Sequence, residues 1–267
     1  MTIRDPAVDD RFYPGDPTTL SQTLEELIPH HAEKKEALAV ISPHAGYIFS
    51  GKVAGETFAR IEIPKDIIVL GPNHYGRGAP VAMMAEGYYK MPLGNIPINS
   101  ELASIVDTSG IIEADETAHQ LEHSLEVQLP FIQYIRHDFC LLPFVISQLT
   151  YSSCVEVGKE LARVIKEYGK PVLLVASTDM THFESRESAT AKDQQVIKHI
   201  EDLDPEALYD TVIRQGITMC GIMPTTITLV AALALGARQA ELVRYSDSAV
   251  TTGDTSQVVG YAGFVVS

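Results

Sequence analysis

Cysteine is scarce in this chain, and the three present do not pair. Cys140, Cys154 and Cys220 make an odd count without framework spacing in 267 residues, which excludes a disulfide-stapled secreted fold and fits a reducing cytosol. Positive charge is also in short supply. Against 35 Asp and Glu stand 20 Lys and Arg, a net charge of −15, with no basic cluster, so a nucleic-acid backbone or an anionic lipid surface is repelled over most of the surface. The acidity otherwise means only a solvated surface. Long apolar runs are missing too. Ile222 to Ala237, the longest, has 16 residues with Pro224 and three threonines among them, short of the ~20 that span a bilayer. Met1 to Asp16 carries acids and prolines where an export signal needs an apolar stretch. The expectation is a cytoplasmic protein with neither nucleic acid nor membrane as partner.

Familiar templates are absent as well. No GxxxxGK[ST] loop, no GxGxxG opening a helix, no GxSxG elbow and no paired CxxC occur, which removes the common nucleotide-binding, serine-hydrolase and zinc-ribbon signatures. Gly 18 and Pro 15 are too few for a fibrous or low-complexity chain, and 45% hydrophobic residues suffice for a substantial core.

What is present is alternation. Short β-branched runs at Leu38–Ser42, Ile67–Gly71, Phe139–Ile146, Val172–Ser177, Glu241–Tyr245 and Val258–Val266 are separated, for the most part, by stretches of helical period. These include Ser50–Arg60, Ser124–Ile135, Tyr151–Tyr168, Asp193–Ile200, Pro205–Arg214 and Thr225–Leu235. Strands joined through helices imply crossovers, so the fold class is α/β: one domain over 1–267, a mainly parallel sheet flanked by helices. The Gly- and Pro-rich segment Gly76–Asn99 is expected to hold a hairpin or a long surface loop.

Ligands of an open parallel sheet gather beyond the carboxyl ends of its strands. Three predicted strands run there into histidine: Pro43-His44, Asn73-His74 and Thr178-Asp179-Met180-Thr181-His182. Neutral imidazole is the commonest transition-metal ligand, and Asp179 and Cys220 are candidate anionic partners. Cys220 precedes an apolar helix, whose amino end favours a thiolate as ligand or nucleophile. Cys140 and Cys154 read as small buried hydrophobes. His123, within His119-Gln120-Leu121-Glu122-His123-Ser124, is either an orienting or acid/base group, or part of ordinary helix-start electrostatics in which Glu122 and Glu126 share. His30, His31, His137 and His199 read as surface residues.

In this order, the motifs Arg11-Phe12-Tyr13-Pro14, Ser42-Pro43-His44-Ala45-Gly46-Tyr47, Gly71-Pro72-Asn73-His74, Pro92-Leu93-Gly94, Glu122-His123-Ser124-Leu125-Glu126-Val127-Gln128-Leu129-Pro130-Phe131, Ser177-Thr178-Asp179-Met180-Thr181-His182, Cys220-Gly221 and Val258-Val259-Gly260-Tyr261-Ala262 resemble the Memo family, called AmmeMemoRadiSam system protein B in prokaryotes. The resemblance spans nearly the whole chain and implies the fold of class III extradiol ring-cleaving dioxygenases, with a non-haem metal at the sheet edge. It implies His44 and His74 as imidazole ligands and Cys220 where the dioxygenases have a carboxylate. It also implies His182 as acid/base, with Asp179 beside it. A thiolate is softer and more electron-donating than a carboxylate, which shifts metal preference and redox potential. Iron or copper is the expected metal, with zinc also compatible with the ligand types.

The function expected is that of a metal-binding redox protein, an oxidoreductase acting on an unidentified small molecule. Radical-SAM system proteins are implied as partners, and a homodimer is the default assembly. Two other readings stand beside it: a non-catalytic binding or signalling module with a vestigial or metal-sequestering site, and metal-free chemistry with Cys220 as nucleophile.

Overall fold

Four segments, apolar for nearly their whole length, make the centre of the sheet. The structure, a computed structural model, describes residues 2–30 and 32–267, so His31 lies outside the described residues. Its strands are β1 (Ile3–Arg4), β2 (Ala39–Ser42), β3 (Asp66–Pro72), β4 (Val81–Met83), β5 (Tyr88–Tyr89), β6 (Ile96–Pro97), β7 (Ile112–Ala114), β8 (Cys140–Ile146), β9 (Val172–Ser177), β10 (His182–Glu184), β11 (Ala240–Asp247) and β12 (Val258–Val266). The α-helices are α1 (Pro17–Leu27), α2 (Tyr47–Ala59), α3 (Ser100–Ile105), α4 (Leu129–Ile135), α5 (Tyr151–Tyr168), α6 (Arg186–Glu201), α7 (Pro205–Gln215), α8 (Ile222–Leu235) and α9 (Ala249–Thr252).

Strands β2, β9, β3 and β8 lie side by side and parallel. Every residue of β2, β3 and β9 is buried, the pattern of parallel strands covered on both faces. Towards the margins antiparallel pairs appear, β12 with β2, β10 and β11 with β12, and β4 with β8, while the edge strand β7 runs parallel to β4. The sheet is thus parallel at its centre and mixed at its edges. Helices α5 and α8 pack together, α8 lying against β9 and β3, while α2 packs on β11, β12 and β2 and against α1 and α4. One continuous apolar core runs through these layers. The longest apolar run is α8, a core helix, and no helix among the described residues is long and apolar enough to cross a membrane.

Several boundaries differ from the sequence reading for local reasons. Helix α1 escapes a periodicity search, yet Asp16 caps it by accepting from Thr19 N, and Pro17 occupies its first turn. Helix α6 begins earlier than expected, at Arg186, because Ser185 caps it. The helix expected over Ser124–Ile135 is α-helical only from Leu129, preceded by a 3₁₀ turn over Glu126–Gln128. Within Gly76–Asn99, β5 and β6 form an antiparallel pair joined by β1, and β4 enters the main sheet.

Candidate metal centre

The ends of three neighbouring parallel strands converge on one point. β2 ends at Ser42 and leads to His44, β3 ends at Pro72 and leads to His74, and β9 ends at Ser177 and leads to Asp179. A fourth element closes the group. The turn carrying Glu122, His123 and Ser124 lies directly on β3, because Gly71 has no side chain. A Cβ there would sit 2.3 Å from Ser124 Oγ, and Ser124 Oγ donates to Pro72 O at 3.2 Å. Cys220 is brought in the same way, since a Cβ on Gly221 would lie 2.3 Å from Ser177 O.

Ring nitrogens of His44, His74 and His123 all lie within 4.8 Å of one another. The His74 and His123 rings stack with centroids 4.5 Å apart, and His44 stands edge-on to both. His44 is buried, His123 half-buried and His74 open to solvent. Cys220 Sγ is 3.3 Å from His44 Nε2. The chain thus brings His44, His74 and His123 to one place, where the sequence reading sets His123 apart as an acid/base group, and lays Cys220 against His44 rather than within that trio.

Hydrogen bonds decide which nitrogens are free. Ser177 Oγ has one proton, which it donates to Ser124 O at 2.6 Å. It accepts from the Gln128 amide at 2.8 Å, so its 2.8 Å contact with His44 Nδ1 requires His44 to donate. His44 Nε2 therefore carries the lone pair. At His74, Nδ1 lies 2.8 Å from Glu122 Oε1 and the backbone N–H donates to Oε2 at 2.7 Å. That carboxylate holds Nδ1 protonated and leaves Nε2 free, the arrangement in which an outer carboxylate orients a metal-binding imidazole.

Charge follows burial. Burial, with His74 and His182 nearby, pushes His44 well below the usual imidazole pKa, and burial with His44 nearby pushes His123 down to about 4. Both rings are neutral at pH 7. Burial would raise Glu122, but hydrogen bonds from His74 and Ser124 N, with the neighbouring imidazoles, outweigh it and hold Glu122 at about 2. The thiol of Cys220 goes the other way from the sequence expectation. Burial and the Asp179 carboxylate push its pKa up, beyond what its backbone donors offset. That direction disfavours a free thiolate, the species a metal-free nucleophile would use without a base.

Asp179 and His182 also differ in detail from expectation. The Asp179 carboxylate accepts from His44 N at 2.8 Å, and its own N–H donates to Cys220 Sγ at 3.2 Å. It ties the His44 and Cys220 segments together. The His182 tautomer is set by Thr218 instead: Nδ1 donates to Thr218 O at 2.9 Å, leaving Nε2 as the basic nitrogen. Glu122 and Glu126 do more than serve the helix start: Glu122 takes His74 besides Ser124 N. Glu126 is buried and accepts from Arg4, Ala7 N, Val8 N and Tyr13 OH. His119 is a satisfied core residue, with Nε2 on Ala82 O and Nδ1 on Tyr89 OH.

Sequence reasoning missed Ser177 and Gln128 as the groups that orient His44, and Phe12, whose ring lies 4.8 Å from His123. The adjacency of Ser177 to the Thr178-Asp179 strand end was a signal for the first. Cys154 is buried on α5, Cys140 is partly exposed, and His30, His137 and His199 are exposed or half-buried.

The family model and the curated relatives agree on one assignment. The family model for Memo-like protein matches residues 4–265. A MEMO1 family protein of Aquifex aeolicus is 41% identical over 267 residues, covering 99% of both chains. One from Methanopyrus kandleri is 40% identical, with 98% of each chain covered. Among solved structures, an uncharacterised protein of Escherichia coli K12 superposes with a TM-score of 0.57 at 17% identity, over 84% of this chain and 98% of that one, a likeness of fold. The chain belongs to the Memo-like protein family.

Proposed function

We propose that the chain is a transition-metal protein of redox type, holding iron or copper, with zinc accepted by the same donors. His44 and His74 are the primary ligands, and His123 and Cys220 are the further donors. The observation that carries this reading is the convergence of three imidazoles, two of them held through Nδ1 by Ser177 and Glu122 so that Nε2 is the nitrogen left for a ligand. Such nitrogens with an adjacent sulfur suit iron, copper and zinc. A bound redox metal supplies Lewis acidity and one-electron chemistry to a small-molecule substrate. The protein's own part is to hold and move protons. His182, fixed by Thr218, presents Nε2 as acid/base, while Asp179 keeps the His44 and Cys220 segments in register.

The test is metal analysis of protein purified anaerobically. Wild type is expected to retain about one equivalent, and His44→Ala, His74→Ala and Cys220→Ser to lose at least about tenfold in affinity. Wild-type iron or copper content in all three would overturn the assignment. Substrate turnover abolished by His182→Ala separates an enzyme from a binding module.

Glu122→Gln gives a finer expectation. The amide no longer favours a protonated Nδ1 by charge, so affinity at His74 should fall about 10- to 100-fold while the far-ultraviolet spectrum stays native. Competition with a chromophoric chelator measures it.

A further inference from the structure

Along α6 the buried positions Ala189, Asp193, Val196, Ile197 and Ile200 repeat with the period of a helix that turns one face to the core. All but one are apolar. Asp193 is an acid, yet it is inaccessible to solvent. Burying a carboxylate is costly unless its oxygens are satisfied, so its partners show what it holds.

Both oxygens are taken, and both donors are neutral. Oδ1 accepts from Thr181 N at 3.0 Å, and Oδ2 accepts from Tyr245 OH at 2.8 Å. Thr181 is the residue before His182, and it is itself buried. Its carbonyl accepts from Gly260 N at 2.9 Å, and Gly260 O accepts from Met180 N at 2.8 Å. On the other side, His182 N donates to Thr218 Oγ1 at 2.7 Å and Nδ1 donates to Thr218 O at 2.9 Å. The backbone that delivers His182 is therefore clamped between Thr218, Gly260 and the α6 carboxylate.

This clamp leaves its mark on the neighbouring strands. A Cβ on Gly260 would stand 2.1 Å from Asp193 Oδ2 and 3.1 Å from Met180 Cβ, so β12 carries glycine where the carboxylate crosses it. Tyr245 reaches the same carboxylate from β11, the antiparallel neighbour of β12. Three elements thus meet on one side chain. An apolar residue at position 193, like the others of this stripe, would leave the buried Thr181 N–H without its acceptor.

We propose that Asp193 is a positioning residue for His182: it fixes Thr181, and through it the imidazole, so that Nδ1 meets Thr218 O and Nε2 stays the basic nitrogen. The inference rests on the reading of His182 as the acid/base group. Its test reads the ring itself and needs neither a substrate nor a resident metal.

The measurement is NMR of the full chain, isotope-labelled at the histidine nitrogens, recorded with and without added zinc. The His182 ring is assigned as the signal missing from His182→Gln. Wild type should carry the His182 proton on Nδ1. In Asp193→Ala the population of that tautomer should fall by about half or more, because the hydrogen bond that selects it is loosened. Asp193→Asn, which keeps an acceptor for Thr181 N and turns its amide N–H to the Tyr245 oxygen, should restore it. Gly260→Ala, which retains Asp193 but drives a methyl group against Oδ2, should reproduce the loss. The His44, His74 and His123 signals and the zinc content should match wild type in each variant.

A fully Nδ1-protonated His182 in Asp193→Ala and Gly260→Ala would overturn the proposal, since Thr218 would then suffice. So would a loss in Asp193→Asn as large as in the alanine variant, or a shift of all the site imidazoles together, the mark of general loosening. Should Asp193→Ala fail to fold, Gly260→Ala against Asp193→Asn decides by the same signal. A wild type that takes up no zinc but shows the expected His182 pattern would count against the metal centre and leave this assignment standing.

Discussion

Arg4→Ala should destabilise the protein by about 3–5 kcal/mol, the range for removing one partner of a buried ion pair. Glu126 is inaccessible to solvent, and the Arg4 side chain nearly so. Without the guanidinium, the Glu126 carboxylate keeps its donors from Ala7 N, Val8 N and Tyr13 OH but loses the one countercharge it has among the described residues. Arg4 also donates to the carbonyl oxygens of His119 and Glu122, so the loss reaches the turn that carries His123. Urea unfolding of wild type and variant gives the difference directly. Tyr13→Phe, which removes a single neutral donor, should cost only about 1–2 kcal/mol. Pairing Arg4→Met with Glu126→Leu removes the buried charge but leaves Ala7 N, Val8 N and Tyr13 OH without their acceptor, so it should recover only part of the loss. A cost for Arg4→Ala below about 1 kcal/mol would place this pair with solvent-screened surface pairs instead.

That network marks the boundary of what the amino-acid order makes readable. The runs ending in Ser42, Gly71 and Ser177 are apolar for nearly their whole length and hold β-branched residues, so strands, their parallel pairing and the gathering of His44, His74 and Asp179 at one edge follow from local pattern. The N-terminal segment that embraces Glu126 sits more than a hundred positions away in sequence, and no periodicity announces it. The same limit explains Glu122 and Glu126. Beside a helix start they look like capping groups, and only the approach of β3 at Gly71 and of the N-terminal segment gives them other partners.

Cys220 teaches a related point about charge. Its position ahead of α8 favours a thiolate on local grounds, but burial and the Asp179 carboxylate, both tertiary, dominate. A thiol held protonated becomes a ligand only when a cation displaces its proton, so metal binding at this sulfur is expected to release a proton and strengthen as pH rises. His123 likewise joins the other imidazoles because β3 carries glycine where the turn crosses it, a contact that spacing alone does not reveal.

Acid should unfold this chain through histidines that are held neutral. His119 is fully buried, donating from Nε2 to Ala82 O and accepting at Nδ1 from Tyr89 OH; burial lowers its pKa to about 4. In the unfolded chain an ordinary histidine titrates near 6.5. Above pH 6.5 both states are neutral at this residue, and it contributes no pH dependence. Between about 6.5 and 4 the unfolded chain binds a proton that the folded chain refuses, so stability falls as pH falls, by about 3 kcal/mol for this one group. Below pH 4 both states are protonated and the slope from His119 ends. His123, also held near 4, adds to the loss in the same window when no metal is bound. Urea midpoints at pH 7.5, 5.5 and 4.5 measure the slope, and His119→Gln, which keeps a donor and an acceptor but does not titrate, should flatten it in metal-free protein. A slope unchanged by His119→Gln would assign the acid sensitivity to other groups, and an excess loss removed by adding metal would trace it to the imidazoles of the site.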